Sequence, residues 1–205
     1  MTFLDNNLDA FTASLASKAA VPGGGGASAL AGAVGTALAA MVGNLTTGKK
    51  KYAEYEDDIQ RILAEAEALR KELLRLIDGD AEVFEPLSRA YGIPKEDPTR
   101  AATMEAALQL ACTVPMDILR TCAKALDLHE ELADKGSALA ISDVGVGAVL
   151  CKAAMQGASL NVFINTKAMT DRAKAAALEK EADALLAEYG ARADAAYAKV
   201  VAKLR

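Results

Sequence analysis

The chain has few of the residues that build most metal and redox sites. It contains one histidine, His129, no tryptophan and three cysteines, at positions 112, 122 and 151. The cysteines are too widely spaced for a CxxC motif or a disulfide framework, so we expect reduced, mostly buried thiols. His129 lies in the charged segment LHEEL, where we expect a surface position. These features argue against a histidine- or zinc-based mechanism, and we expect no metal and no redox cofactor.

Acidic residues outnumber basic ones, 28 to 23, so the net charge is -5. A general nucleic-acid binder normally carries a basic face, so we expect no nucleic-acid partner. The N-terminal stretch MTFLDNNLDAF contains two acids and no basic residue, which is not the pattern of a signal peptide. Together with the cysteine usage, this predicts a cytoplasmic protein.

Aromatic residues make up only 4% of the chain, although hydrophobic residues make up 52%. Small apolar side chains must therefore build the interior, which suits closely packed helices. No segment shows the alternating pattern of a strand, so the predicted fold class is all-α. Loops are short and no linker stands out. We expect residues 1–205 to form a single-domain helical bundle.

The most distinctive stretch is Pro22–Tyr52. We expect Gly23–Gly26 to form a turn that lets backbone N–H groups approach a ligand. An uncharged helix of about residues 27–47 follows, with its positive N-terminal end at that turn. A helix with almost no polar face is buried in protein or lies in a membrane. Ala and Gly contribute little apolar area and no other segment repeats the pattern cleanly, so we predict a buried helix and no membrane partner.

Helical periodicity covers most of the remaining chain. Residues from about Ser137 repeat the Ala/Gly-rich composition, and we expect the two buried Ala/Gly-rich helices to pack together. The other predicted elements are helices at about 2–18, 52–76 with a break at 78–80, 98–127 with a kink at Pro115, and 171–205 with a break near Gly190, and a short charged segment at 128–136.

Two lysine-containing patterns have simple alternatives. The segment GNLTTGKK (43–50) approaches a P-loop, but Lys50 stands where Ser or Thr is needed and a helix, not a strand, precedes it. We therefore reject a P-loop. Lys49, Lys50 and Lys51 are typical of a solvated helix end, or they hold the anionic tail of a substrate.

Two acidic patterns remain open. Asp78 and Asp80 flank a glycine in the hydrophobic frame RLIDGDAEVF. They form a solvated break, or one is a partly desolvated carboxylate with a raised pKa that acts as a general base. Ser142 and Asp143 lie in an apolar stretch, where a carboxylate must either bond a helix end or line a pocket.

Five segments together resemble the cyclodeaminase/cyclohydrolase family that acts on one-carbon folates. They are PGGGGASAL (22–30), LTTGKKKY (45–52), DGDAEVF (78–84), AISDVGVGA (140–148) and NVFIN (161–165). Each segment alone is a weak signal, but the ordered set is specific and spans most of the chain. The family includes the cyclodeaminase domain of formiminotransferase-cyclodeaminase and free-standing methenyltetrahydrofolate cyclohydrolases of bacteria. The absence of a formiminotransferase part from this sequence favours the second.

The resemblance implies an all-helical homodimer with its folate site near the subunit contact. It implies a catalytic aspartate in the DxDAxxF segment, for which we favour Asp80, with Asp78 as the alternative. The residues that would line the site are Pro22, Gly23, Gly24, Gly25, Ser28, Lys49, Ser142, Asp143, Asn161 and Asn165. The implied substrate is a tetrahydrofolate derivative, with or without a polyglutamate tail. The expected reaction is hydrolysis of 5,10-methenyltetrahydrofolate, with the ammonia-releasing cyclodeaminase or a non-catalytic folate-binding dimer as alternatives.

Overall fold

The computed structural model describes residues 2–205, which pack as one all-α bundle without strands, as predicted. The α-helices are α1 (Leu8–Leu15), α2 (Gly24–Asn44), α3 (Glu56–Tyr91), α4 (Arg100–Ala111), α5 (Thr113–Lys135), α6 (Ile141–Ala168) and α7 (Arg172–Leu204). Short 3-10 helices cover Phe3–Asp5, Lys50–Tyr55 and Ala138–Ala140.

The Ala/Gly-rich helices α2 and α6 pack against each other at the centre of the bundle, as predicted from their composition. A Cβ atom on Gly35 would lie 3.0 Å from the carbonyl oxygen of Gly147 and 2.8 Å from Sγ of Cys151. The two backbones therefore approach too closely for any larger residue at position 35. All three cysteines are buried and free, as expected, and Cys122 and Cys151 fill the space beside the glycines of α2.

Both central helices are long and apolar enough to cross a membrane by length and composition. The segments are Gly24–Asn44 and Ala138–Ala168, and half or more of the most apolar stretch of each is buried in the bundle. The expectation that no segment besides the helix at about 27–47 cleanly repeats its long apolar pattern was therefore wrong. Such burial is typical of core helices, which pass the same length and composition test.

The single histidine lies in the core, so the prediction of a surface position was wrong. His129 has no exposed area, and its Nε2 lies 3.0 Å from the carbonyl oxygen of Gly35. Burial lowers its pKa to about 4, so the ring is neutral at physiological pH. A Cβ on Gly147 would overlap the imidazole. The ring therefore fills the gap that two glycines leave between α2 and α6.

Helix α3 runs without interruption through Asp78-Gly79-Asp80, where the sequence predicted a break. A glycine inside a helix costs only about 1 kcal/mol, and the buried face that includes Leu73, Leu76 and Leu87 offsets that cost. Both carboxylates also find backbone N–H partners outside α3, as described below. Tertiary contacts thus override the local break signal.

Other predicted boundaries were wrong for related reasons. The segment 98–127 is two helices that part at Cys112, and Pro115 sits in the first turn of the second, where its missing N–H costs little. The charged segment 128–136 is the amphipathic end of α5, and α7 passes Gly190 without a break. The N-terminal helix is shorter than predicted, and in it only Phe11 is buried.

Two glycines on different helices provide a test of the close packing. Gly35→Ala should destabilise the protein by about 1–3 kcal/mol, because the added methyl group meets the backbone of α6. Gly190→Ala should stabilise it by about 0.5–1 kcal/mol, because the nearest atom to a Cβ there is 4.0 Å away, on the Lys152 side chain. Urea denaturation of both variants measures the difference, and equal effects would contradict the described α2–α6 contact.

Candidate functional site

The first turn of α2 meets the Asp80 carboxylate of α3. The helix begins at Gly24, so three of the four glycines form its first turn rather than the predicted loop, and Gly23 is the N-cap. The backbone N–H of Gly26 donates to Oδ2 of Asp80 at 3.0 Å. A Cβ on Gly25 would overlap the carboxylate. The glycines and the aspartate, 54 residues apart, therefore form one packed unit.

Two opposing influences set the acidity of Asp80. Burial raises its pKa above the ordinary carboxyl value, and the hydrogen bond from Gly26 offsets part of that rise. Within residues 2–205, no donor lies within hydrogen-bond distance of Oδ1. One oxygen is thus held by the helix terminus, and the other is free to accept a proton or a water molecule.

A cavity of about 240 Å³ opens beside Asp80. Its other lining residues are Ala20, Val21, Gly23, Gly24, Val83, Phe84, Ala111, Pro115, Asn161, Ile164 and Asn165. The amide of Asn161 donates to the carbonyl of Gly157 at 3.0 Å, and the amide of Asn165 donates to that of Ala111 at 3.3 Å. These bonds fix both side chains on the α6 wall of the cavity.

Three further predicted residues lie next to this cavity without lining it. Pro22 is buried against Gly26, and Gly25 contacts the Asp80 carboxylate. The Ser28 hydroxyl donates to the carbonyl of Gly24 at 2.7 Å and fills the space beside Gly157. These residues shape the first turns of α2 and so position its free N–H groups.

Four predicted residues lie elsewhere. Asp78 is bonded to the backbone N–H of Phe3 at 2.6 Å and does not line the cavity. Lys49, Ser142 and Asp143 lie at the opposite end of the α2–α6 pair, where the N–H of Ser137 donates to Oγ1 of Thr46 at 2.8 Å. The 21 residues of α2 separate the two ends by about 30 Å. A single chain therefore does not bring the predicted set together.

Sequence reasoning missed the apolar walls of the cavity. Val83 and Phe84 belong to the DGDAEVF segment and Ile164 to NVFIN, but the sequence motifs alone predict no role for these three side chains. Positions 80, 83 and 84 follow the i, i+3, i+4 spacing of one helix face, as do 161, 164 and 165. That spacing could have identified the walls, had α3 been predicted as continuous.

The metal-ligating residue types and the P-loop-like segment form no site among the described residues. In residues 2–205, no three His, Cys, Asp or Glu side chains are grouped so that they could hold a metal ion. The segment 43–50 is the end of α2 followed by a turn at Gly48, which has a φ of 71°. A helix therefore precedes the P-loop-like sequence, as the sequence indicated.

Known proteins resemble this chain along most of its length. The sequence model of the formiminotransferase-cyclodeaminase family matches residues 7–184. The methenyltetrahydrofolate cyclohydrolase of Methylorubrum extorquens is 43% identical over 204 residues, covering 98% of each chain. The formimidoyltransferase-cyclodeaminase of Mus musculus is 33% identical over 174 residues, which are 83% of this chain and 32% of the mouse protein.

A solved structure shares the fold along nearly the whole chain. The crystal structure of formiminotetrahydrofolate cyclodeaminase from Thermotoga maritima superimposes with a TM-score of 0.83 at 32% identity, covering 98% of this chain and 96% of that one. The family match, the full-length match to the Methylorubrum extorquens protein and the shared fold lead to one conclusion. The chain belongs to the formiminotransferase-cyclodeaminase family.

Proposed function

We propose that the chain hydrolyses 5,10-methenyltetrahydrofolate to 10-formyltetrahydrofolate. The observation that carries the proposal is the Asp80 carboxyl group, with a raised pKa, one oxygen held by Gly26 and the other free beside the cavity. The full-length match to the cyclohydrolase of Methylorubrum extorquens supports this reaction among those that the family name suggests.

The proposed reaction needs a base and an acid on the same carbon. Water attacks the carbon between N5 and N10 of the cationic substrate, and Asp80 takes a proton from the water as the C–O bond forms. The protonated carboxyl group then gives that proton to N5 as the C–N5 bond breaks, and the hydroxyl proton leaves to solvent as the formyl group forms on N10. A carboxyl group with a raised pKa suits both transfers, because at neutral pH its protonated and ionised forms lie closer in free energy than those of an ordinary carboxyl group.

The alternative reaction is the cyclodeamination of formiminotetrahydrofolate with release of ammonia. The likeness to the crystal structure from Thermotoga maritima favours it, since that protein is named for this activity. Both reactions pass through a tetrahedral carbon between N5 and N10, so the same carboxylate serves either. Assays of both on one preparation distinguish them: loss of near-ultraviolet absorbance reports methenyl hydrolysis, and ammonia release reports deamination. Folate binding with neither reaction would instead support the third alternative, a non-catalytic folate-binding dimer.

We also propose that the working unit is a homodimer. The cavity of about 240 Å³ is smaller than the roughly 300–1,000 Å³ typical of a site for a drug-sized ligand, so part of a folate must lie outside it. An apolar face of α2 and α6 adjoins the cavity at Ile164. Its exposed side chains are Val34, Met41, Val146, Val149, Leu160 and Ile164. Exposed apolar side chains along two neighbouring helices are typical of an interface.

A second copy on this face would complete the site. If the two-fold axis lies in this apolar face and is perpendicular to α2 and α6, the helices of the two subunits run in opposite directions. The cavity end of one subunit then meets the opposite end of its partner. This axis would bring Lys49, Ser142 and Asp143 of the partner subunit to the cavity beside Asp80. The exposed Lys49 would then bind the anionic glutamate tail of the folate. This arrangement unites the two halves of the predicted site.

The proposal includes no metal, redox cofactor, nucleic acid or membrane. It places the enzyme in the cytoplasm, where the three buried thiols remain reduced.

Replacing the proposed base tests the reaction directly. Asp80→Asn should lower kcat for methenyltetrahydrofolate hydrolysis by about 10²–10⁴-fold, the usual contribution of a placed acid–base group. Glu82→Gln is the matched control, because Glu82 is an exposed carboxylate on the same helix that does not line the cavity. Near-wild-type turnover in Asp80→Asn would remove Asp80 as the base.

The same variant should be more stable than the wild type at neutral pH. The pKa of Asp80 is raised in the folded protein, so its ionised form costs stability as pH rises above the pKa of the unfolded chain. Asp80→Asn should therefore raise Tm at pH 7, and the gain should shrink as the pH falls towards about 4. Asp97→Asn should instead lower Tm at pH 7, because hydrogen bonds from Thr99 lower the pKa of Asp97 and so favour its ionised form in the folded protein. A lower Tm for Asp80→Asn at pH 7 would contradict the dominance of burial.

Lys49 tests the tail site and the dimer together. Lys49→Ala should raise KM several-fold for polyglutamylated substrate and less for the monoglutamate; equal effects would argue against a tail contact. Subunits carrying Asp80→Asn mixed with subunits carrying Lys49→Ala should regain activity on long-tailed substrate, because one site of each mixed dimer has both residues intact. Absence of recovery in verified mixed dimers would place the two residues in separate sites.

A further inference from the structure

The two aspartates of the DGDAEVF segment point to different sides of α3. Residues two apart on a helix are about 200° apart around its axis, so they do not face one another. Asp80 faces the N-terminus of α2 and the cavity. Asp78 faces the N-terminal segment, where its Oδ1 accepts the backbone N–H of Phe3 at 2.6 Å. The two carboxylates therefore have different partners.

The bond to Asp78 belongs to a larger anchor of the N-terminal segment. The Phe3 and Phe11 rings meet edge to face with centroids 6.2 Å apart, and Phe11 is 5% exposed in the core. A charge-assisted hydrogen bond of this length is among the stronger ones in proteins. The anchor thus fixes residues 3–11 against α2 and α3.

The chain that follows the anchor forms one wall of the cavity. Residues 16–20 are exposed, and Ala16 and Ser17 are bonded through their backbone N–H groups to α1. Among residues 2–205, the one hydrogen bond to the backbone of residues 18–20 is that from the N–H of Ala19 to Oγ of Ser17. Ala20 and Val21 nevertheless line the cavity, immediately before the buried Pro22. With so few hydrogen bonds of its own, this wall depends on the anchors at its two ends. We call residues 3–22 the N-terminal strap.

We propose that Asp78 is a positioning residue that holds the N-terminal strap against α3, so that Ala20 and Val21 close one side of the folate cavity. The inference rests on the proposed function, because it gives the strap a role in substrate binding. It predicts that Asp78 acts on KM through the Phe3 N–H and takes no part in proton transfer.

Two substitutions separate positioning from catalysis. Asp78→Asn keeps an oxygen that accepts the Phe3 N–H, so its KM and kcat should stay within about threefold of wild type, since only the charge of the acceptor is lost. Asp78→Ala removes the acceptor and should raise KM about tenfold with kcat changed less than threefold. A large loss of kcat in Asp78→Asn, like that expected for Asp80→Asn, would overturn the proposal and make Asp78 catalytic.

A second readout does not depend on turnover. Lys18 is exposed and is the only lysine or arginine in residues 2–48, so trypsin cleavage there reports the freedom of the strap. Cleavage should be several-fold faster in Asp78→Ala than in wild type or Asp78→Asn. Phe3→Ala, which removes the ring contact of the anchor, should raise KM and cleavage in the same way. Combined with Asp78→Ala it should add little, because both release the same strap.

Each outcome is decisive. Wild-type cleavage and KM in both Asp78→Ala and Phe3→Ala would show that the anchor does not hold the cavity wall. If the wild-type protein acts on neither methenyl- nor formiminotetrahydrofolate but trypsin still cleaves Asp78→Ala faster, the anchor of the strap is supported and the proposed function is rejected. If Asp78→Ala fails to fold, as judged by circular dichroism, the Asp78→Asn and Phe3→Ala variants decide.

Discussion

The contact between the Asp80 carboxylate and the first turn of α2 determines the geometry of the site. It requires glycine at position 25, because a Cβ would overlap the carboxyl group. It also requires α2 to start where it does, because the N–H of Gly26 is free only in the first turn of a helix. The bond favours the ionised form and burial disfavours it, so the acidity of the group depends on how tightly the two helices pack.

That packing is in turn set by the small residues along α2 and α6. Glycines at positions 35 and 147 let the backbones approach, and the neutral His129 ring fills the remaining gap while it bonds the Gly35 carbonyl. The arrangement fixes the distance between the helices along their length. It therefore also fixes the separation between the α6 wall, with Asn161 and Asn165, and the turn that holds Asp80.

Sequence reasoning predicted the features that depend on composition and failed where distant partners decide. The all-α fold and the pairing of the Ala/Gly-rich helices follow from the small apolar residues. The continuity of α3 could not be predicted, because the partners that satisfy Asp78 and Asp80 are N–H groups more than 50 residues away. His129 was misplaced because its charged sequence neighbours indicated a surface, although on a helix they point away from it. The ordered motifs led to Gly23, Gly24, Asn161 and Asn165, which line the cavity beside Asp80, while the position of Lys49 at the far end required the three-dimensional structure.

The walls and the carboxylate of the cavity occupy separate positions on the helices. Val83, Phe84 and Ile164 shape its volume, whereas the hydrogen bond that holds Asp80 comes from Gly26. Substitution of Val83 or Phe84 would change the cavity without replacing Asp80 or the glycines that hold it, whereas Ile164 also belongs to the exposed apolar face of α6. Redesign of the cavity for a different ligand would therefore begin at Val83 and Phe84, leaving the glycine turn unchanged.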